Sequence, residues 1–353
     1  MSEKSSIKNF LIKRWSLVFL LILLAFFSIF GTGFSSIANI QDIFLAATTT
    51  MLLGIGQTFV IITGGIDLSV GFTMGLSSVI MATLVRDLTA NGVLPVFSIL
   101  LGIGLSMVVG IATGLVNGYL VAFLKVPAFI ATLGMYGVAY GLALIRSGGF
   151  PVGNLPAIVG SLGNRYLFYI LPGEFFSLLH MPEGVEPTQL RNVMRILPLV
   201  VIVVLIIAGL FIIILSKTQF GKHTYAIGGD EDVARRAGVK VKSHLMKIYV
   251  ISSLFAAMGG ISYTFRFGSG NAQAGAAQML MAIATVVIGG ASLYGGTGDI
   301  QGTIVGALII GTLQIGMVFL GVQPFYQFIV IGLIIIFGVL LDQLSQRKYL
   351  EIT

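Results

Sequence analysis

The chain is built from apolar runs of about twenty residues separated by polar turns, and a helix of that length crosses the hydrocarbon core of a bilayer. Ten such runs can be marked, at about 15–33, 43–63, 68–85, 94–123, 127–145, 196–215, 246–265, 278–294, 300–320 and 324–341. Unbroken runs rather than ten-residue alternation select helices over a barrel, because a helix satisfies its own backbone in lipid. The charge content of 9% in 353 residues contrasts with roughly 25% in a soluble domain. The expected fold class is therefore an all-α integral membrane protein of about ten transmembrane helices, with residues 1–353 forming a single domain. The 46 glycines suit close helix packing in lipid.

The basic residues fix an orientation. With the N-terminus in the cytoplasm, 14 Lys and Arg fall inside and 6 outside, and every Lys is inside. That is the bias of cytoplasmic loops, and the even number of spans returns the C-terminus to the cytoplasm. The same placement explains the net charge of +7 without a nucleic-acid partner. The start, MSEKSSIKNFLIKRW, runs into a span too long for a signal h-region, so the first helix is read as uncleaved. There is no Cys, which excludes disulfides, thiol catalysis and thiolate metal sites.

The most polar stretch is FGKHTYAIGGDEDVARRAGVKVKSHLMK, residues 220–247, within an expected cytoplasmic coupling loop at 216–245. Counting Lys217, it holds seven of the twenty Lys and Arg. Gly228-Gly229 is expected to break the chain and Asp230 to cap a helix. Glu231 and Asp232 suit its first turn, and Gly238 its C-terminal end. That gives a helix of about two turns whose small residues Ala234 and Ala237, three apart, form a face able to enter a partner's groove. The alternative is a basic loop that only anchors to lipid.

Two glycine-rich breaks interrupt the spans. TGGIDLSVG, residues 63–71, reads either as a tight turn with Asp67 as N-cap or as a broken helix whose carboxylate lines a pathway. IGGASLYGGTGDIQG, residues 288–302, echoes it. Asn117 sits inside an apolar run, where an interhelical hydrogen bond and a pathway contact are both open. Phe129, Thr132, Tyr136 and Tyr140, at three- and four-residue spacing, form either a packing face or an aromatic and hydroxyl face on a cavity. Residues 146–195 form an external loop, with the aromatic piece 167–179 expected at the interface. No P-loop motif is present, no His pair has metal-ligand spacing, and no nucleophile–base set is evident, so neither a catalytic site nor a metal site is expected.

These motifs carry a resemblance. GGIDLSVG (64–71), PAFIATLGM (127–135), FGKHTYAIGGDEDVARRAGV (220–239), GGASLYGGTG (289–298) and GVQPFYQFIVIGLIIIFGVLLD (321–342) resemble the permease subunits of bacterial ABC importers for monosaccharides. That is the ribose, xylose and galactose group, within the family that includes branched-chain amino acid permeases. The resemblance implies a vitamin B12-importer-like (type II importer) permease fold in the bacterial inner membrane. It implies a second permease, cytoplasmic ATPase subunits carrying ATP and Mg, an extracytoplasmic substrate-binding protein, and no cofactor in this chain. The loop matching AIGGDEDVARRAGV would be the coupling helix. Gly228, Gly229, Asp230, Glu231, Ala234, Arg235, Ala237 and Gly238 are the expected coupling residues, with Arg236 at the rim. Asp67, Asn117, Phe129 and Thr132 are the expected pathway residues. The alternative function is a self-sufficient carrier for a small polar solute. Met279, Leu280 and Met281 depart from the acidic stretch usual in the group, which leaves the solute open.

Overall fold

The computed structural model describes residues 15–181, 189, 192–323, 325–334, 336 and 340. The helices in chain order are α1 Trp15–Phe30, α2 Ile37–Ile62, α3 Val70–Ala90, α4 Pro95–Ala122, α5 Ala128–Ser147 and α6 Ala157–Gly163. Strands β1 Tyr166–Leu171, β2 Phe175–Leu178 and β3 Met194–Pro198 follow. Then come α7 Leu199–Lys217, α8 Gln219–Gly229, α9 Glu231–Arg236, α10 Val241–Phe267, α11 Ala276–Ile288 and α12 Ile300–Phe319. A last apolar helix, α13, covers Phe325–Ile334.

A described helix overlaps each of the ten expected spans. Six of them (α2, α4, α5, α7, α10 and α12) are long and apolar enough to cross a membrane, while α1, α11 and α13 are shorter apolar helices. α3 has 21 residues but carries Ser and Thr along its length and the charged Arg86 and Asp87 near its end. The expected span at 278–294 is helical only to Ile288, and the expected span at 324–341 lies partly outside the described residues. The chain is a mostly helical, multi-pass membrane protein.

α2 is the core of the bundle. Every residue from Met51 to Ile62 is buried, and Phe59, Tyr249 and Phe255 are among the largest fully enclosed side chains. α7, α10, α11 and α12 pack around it. α4 lies on α10 along Gly110, Gly114 and Gly118, where a Cβ would meet Ala257 Cβ at 2.7 Å, Val250 Cα at 2.5 Å and Met246 Cα at 2.8 Å. Small residues at four-residue spacing permit that approach in lipid. The outward faces of α4, α5 and α7 are lined with exposed Leu, Ile, Val and Phe, as a lipid-facing surface requires.

The segment between α5 and α7 differs from expectation. The aromatic piece at 167–179, expected within an external loop, forms two strands of a three-stranded antiparallel sheet in the order β2-β1-β3. The turn Leu171-Pro172-Gly173-Glu174 closes the hairpin, with Glu174 N–H donating to Leu171 O at 3.0 Å and Gly173 at φ +85°. Pro then Gly at the two central positions is the type II preference. β3 runs directly into α7.

Candidate coupling face and the buried polar break

One end of the bundle gathers α8, α9, the α4–α5 turn and both glycine-rich breaks. Residues 219–229, expected as loop, form the helix α8. Gly228 and Gly229 do not break it; the break falls at Asp230, which is extended at φ −162°. Gly228 is needed for closeness rather than for an unusual backbone conformation. A Cβ there would lie 1.8 Å from Ile62 O and 2.7 Å from Gly296 N. Gly296 N–H also donates to Ile62 O at 2.8 Å, and Tyr225 of α8 donates through its hydroxyl to Gly298 O at 2.6 Å. The end of α2, the second break and α8 thus touch backbone to backbone.

α9 projects beyond this junction. Asp230 caps it, accepting from Asp232 N–H at 2.8 Å and Val233 N–H at 2.9 Å. Gly238 at φ +87° ends it, the left-handed position that glycine adopts without strain. Ala234 does not share an exposed face with Ala237. It is buried against Ala122, Ile227, Val241 and Leu245, while Ala237 is exposed. The reason is the helix's short length: its one apolar stripe is spent on holding it to the bundle. The surface left free carries Asp232, Val233, Arg235, Arg236, Ala237 and Gly238. Val233, 62% exposed, is the apolar point of that surface, and small-residue spacing alone did not single it out. Glu231 accepts from Lys125 Nζ at 2.9 Å, and Arg235 also pairs with it. The Lys125 hydrogen bond, together with its charge and that of Arg235, holds the Glu231 carboxyl below its ordinary range despite partial burial.

The first break, residues 63–69, connects α2 to α3 and is built around Asp67, which is fully buried. Asp67 Oδ1 accepts from Ser69 N–H at 3.0 Å and Ser69 Oγ at 2.6 Å, and Oδ2 accepts from Ser252 Oγ at 2.8 Å. Asn117 Nδ2 donates to Ser69 Oγ at 2.9 Å. Thr132 Oγ1 donates to Ile66 O at 3.1 Å. With its amide oriented to satisfy both contacts, Gln57 accepts from Asp67 N–H at 3.1 Å and donates to Asp67 O at 3.3 Å. Ser69, not Asp67, precedes α3 as its N-cap residue, and its own side chain makes no capping bond. Asp67 instead closes a local turn onto Ser69. Burial pushes the Asp67 carboxyl above its ordinary value, and the Ser69 and Ser252 donors pull it partly back.

The structure therefore gathers three of the four expected pathway residues and not the fourth. Asp67, Asn117 and Thr132 meet around the break, each 0% exposed, as a closed interior network and not an open lining. Phe129 is 51% exposed on the outward face of α5. Tyr136 and Tyr140 pack edge-on against Phe72, with ring centroids 4.2 and 4.7 Å apart, so that stripe serves helix packing. Ser252 and Gln57 also join the network; Gln57, an amide in the apolar run 51–62, carried the same signal as Asn117 and was missed, whereas a Ser in an apolar span carries little signal until its neighbours are known. Among the described residues no group of three or more His, Cys, Asp or Glu is placed to hold a metal.

A lipid-spanning helical bundle whose short surface helix meets its interior helices through glycine contacts has the build of a membrane transport component. Residues 39–339 match the family described as branched-chain amino acid transport system / permease component, and the chain belongs to that family. The chain is 38% identical over 324 residues to the ribose import permease protein of Bacillus subtilis, covering 92% of this chain and 90% of the relative. It is 33% identical to the galactose/methyl galactoside import permease protein of Escherichia coli, over 98% of both chains. With the fructose import permease protein of Rhizobium meliloti it shares 35% identity over 93% of this chain and 84% of that one. No solved structure matches the chain.

Proposed function

We propose that this permease is the membrane subunit of an ATP-driven ABC importer for a monosaccharide or similar polar solute. It works in the bacterial inner membrane with both termini in the cytoplasm and about ten spans in a type II importer fold. The names of its relatives, import permeases for ribose, galactose and fructose, support the solute class. ATP and Mg belong to a separate ATPase subunit, a substrate-binding protein delivers the solute outside, and a second permease completes the pathway. In this arrangement residues 1–353 act as one permease domain, with 146–195 outside and 216–245 as the cytoplasmic coupling segment.

The observation that carries the reading is the contact of Gly228 with Ile62 and Gly296. A push on α9 enters α8, and α8 cannot move without displacing the end of α2 and the second break. Coupling then runs through Asp230, Glu231, Arg235, Ala237 and Gly238 at the surface, with Gly228 and Gly229 behind them and Ala234 as the anchor. Asp67, Asn117 and Thr132 lock the break that must rearrange when the solute passes. Phe129 lies on an outer face available to a second permease.

The test is co-purification and solute-stimulated ATP hydrolysis in proteoliposomes with the ATPase and the binding protein. Val233→Asp places a charge on the exposed tip of α9 without entering the bundle. It is expected to abolish both signals while the permease still folds and inserts. Retention of both would refute the coupling role of α9. Solute flux without any ATPase would establish a self-sufficient carrier instead.

A further inference from the structure

α7 approaches the two helices it faces less closely than those two approach each other. α4 and α10 are drawn together by Gly110, Gly114 and Gly118, whereas α7 packs mainly on α2 and α12; its Phe211 ring meets Phe59 of α2 at 6.0 Å and bridges to Phe255 of α10 at 4.7 Å between ring centroids. A crevice remains between α7 on one side and α4 and α10 on the other. Its half near α9 is a cavity of about 400 Å³ lined by Leu115, Phe211, Ile214, Phe220 and Val250, with Lys247 at its mouth. Its half near the sheet is a cavity of about 520 Å³, whose walls include Ile103, Met107, Val203, Ile207 and Ile261. The two halves lie on the same stripes: residues 203, 207, 211 and 214 of α7, 247, 250, 258 and 261 of α10, and 103, 107 and 115 of α4. Steps of three and four residues keep a stripe on one helix face. From Val203 to Ile214 the α7 wall rises about 16 Å, half or more of the hydrocarbon thickness.

We infer that this crevice binds a phospholipid with an anionic headgroup, its acyl chain lying between α7 and α4/α10 and its phosphate at Lys247. The occupant follows from the combination of walls and mouth. The walls are apolar to the point of excluding a polar solute, and an apolar crevice facing lipid gains contacts by taking a chain. The mouth carries positive charge. Lys247 is exposed and has no carboxylate partner among the described residues, and Lys217 lies three residues beyond the lining residue Ile214. Basic side chains at the membrane surface attract anionic lipid, and a single Lys gives about a five-fold preference. The lipid is a removable packing layer between α7 and the core. It lets α7, which carries α8 and α9 at its end, shift against α10 without opening a void.

The full-length permease, purified in detergent, is heated in the presence of added phosphatidylglycerol or phosphatidylcholine with identical chains, and the lipid that co-purifies is counted. Wild type is expected to retain about one anionic lipid per chain and to bind phosphatidylglycerol about five-fold more tightly than phosphatidylcholine. Lys247→Gln, a surface change, is expected to bring the two lipids within about two-fold while stabilisation by either persists. Val203→Trp and Leu115→Trp fill the two halves of the crevice, and the latter is expected to expel the retained lipid. Equal stabilisation of wild type by both lipids would overturn the inference. So would anionic preference surviving Lys247→Gln, or a disulfide between two copies through Val203→Cys, which would give the crevice to a second chain. None of these outcomes depends on ATP coupling, so they stand apart from the test of α9.

Discussion

The two glycine-rich breaks look alike in sequence and lie side by side at the same end of the bundle, yet they are held by different physics. The first, 63–69, is organised by side chains. A single buried carboxylate collects Ser69 and Ser252, Ser69 in turn receives Asn117, and only Gly64 has a positive φ. The second, 289–298, is organised by backbone. Gly290, Gly295, Gly296 and Gly298 all have positive φ. Gly289 and Gly302 press together so closely that a Cβ on Gly302 would lie 2.0 Å from Gly289 O. Its acid, Asp299, sits at the end of the break and caps α12 by accepting from Gly302 N–H at 2.5 Å. A turn held by hydrogen bonds can exchange partners, whereas one held by backbone contact can move only as a block. On the proposed importer reading, this difference suits the first break to rearranging and the second, against which α8 leans, to bearing force.

The largest effect is expected at Asp67. Asp67→Ala strands the hydroxyls of Ser69 and Ser252 and the Ser69 amide in the interior, at a cost of roughly 3 kcal/mol or more. The midpoint of thermal unfolding in detergent is expected to fall accordingly. Asp67→Asn separates charge from shape. Because the folded carboxyl titrates above its ordinary value, the native state binds the extra proton through that window. Stability is then greatest on the acid side and declines as pH rises to the raised value. The Asn variant is expected to lose that slope. A wild-type slope of the opposite sign would mean that Asp67 is held ionised, and the first break would then be as rigidly fixed as the second.

A smaller loss is expected at the second break. Gly302→Ala places a methyl group against the Gly289 carbonyl, and overpacking of that kind costs about 1–3 kcal/mol. The midpoint of thermal unfolding in detergent is expected to fall, by less than it does for Asp67→Ala. If Gly302→Ala proved harmless to stability while Asp67→Ala abolished folding, the second break would not be the rigid partner argued here.

The contrast also explains what was legible in the sequence. Apolar runs located a helix for every expected span, because in lipid a long run has one way to satisfy its backbone. The Asp230 cap and the Gly238 stop followed from local chemistry alone. Ala234 was misplaced because small-residue spacing names a face without saying which neighbour takes it, and α9 is held to the bundle by that face. The sheet at 166–198 was missed because its aromatic, Pro-broken stretch matches an interfacial segment as well as a hairpin. Asp67 and Asn117 stood out as polar residues in apolar surroundings, but their distance of 50 positions in the chain hid the Ser69 link between them. Gly228 was read as a chain breaker, and only the proximity of Ile62 O reveals that it is a contact glycine within a helix.

The smallest expected effect tests whether Asp299 resembles Asp67 in role as well as in residue type. Among the described residues the Asp299 carboxylate accepts from the start of its own helix, through Gly302 N–H, and its backbone is extended at φ −151° and ψ 159°. Removing such a cap costs about 1 kcal/mol. Asp299→Asn, which keeps an accepting oxygen, is expected to recover most of the stability lost in Asp299→Ala, and Asp299→Ser likewise, because Asn, Asp and Ser serve about equally as caps. Asp67 has no such tolerance, since Ser at position 67 cannot reach both Ser69 and Ser252. Unfolding midpoints of Asp67→Ser and Asp299→Ser, measured side by side, therefore separate a local cap from an interhelical lock. If the two substitutions cost the same, the breaks are held alike, and the division between a rearranging and a rigid half fails.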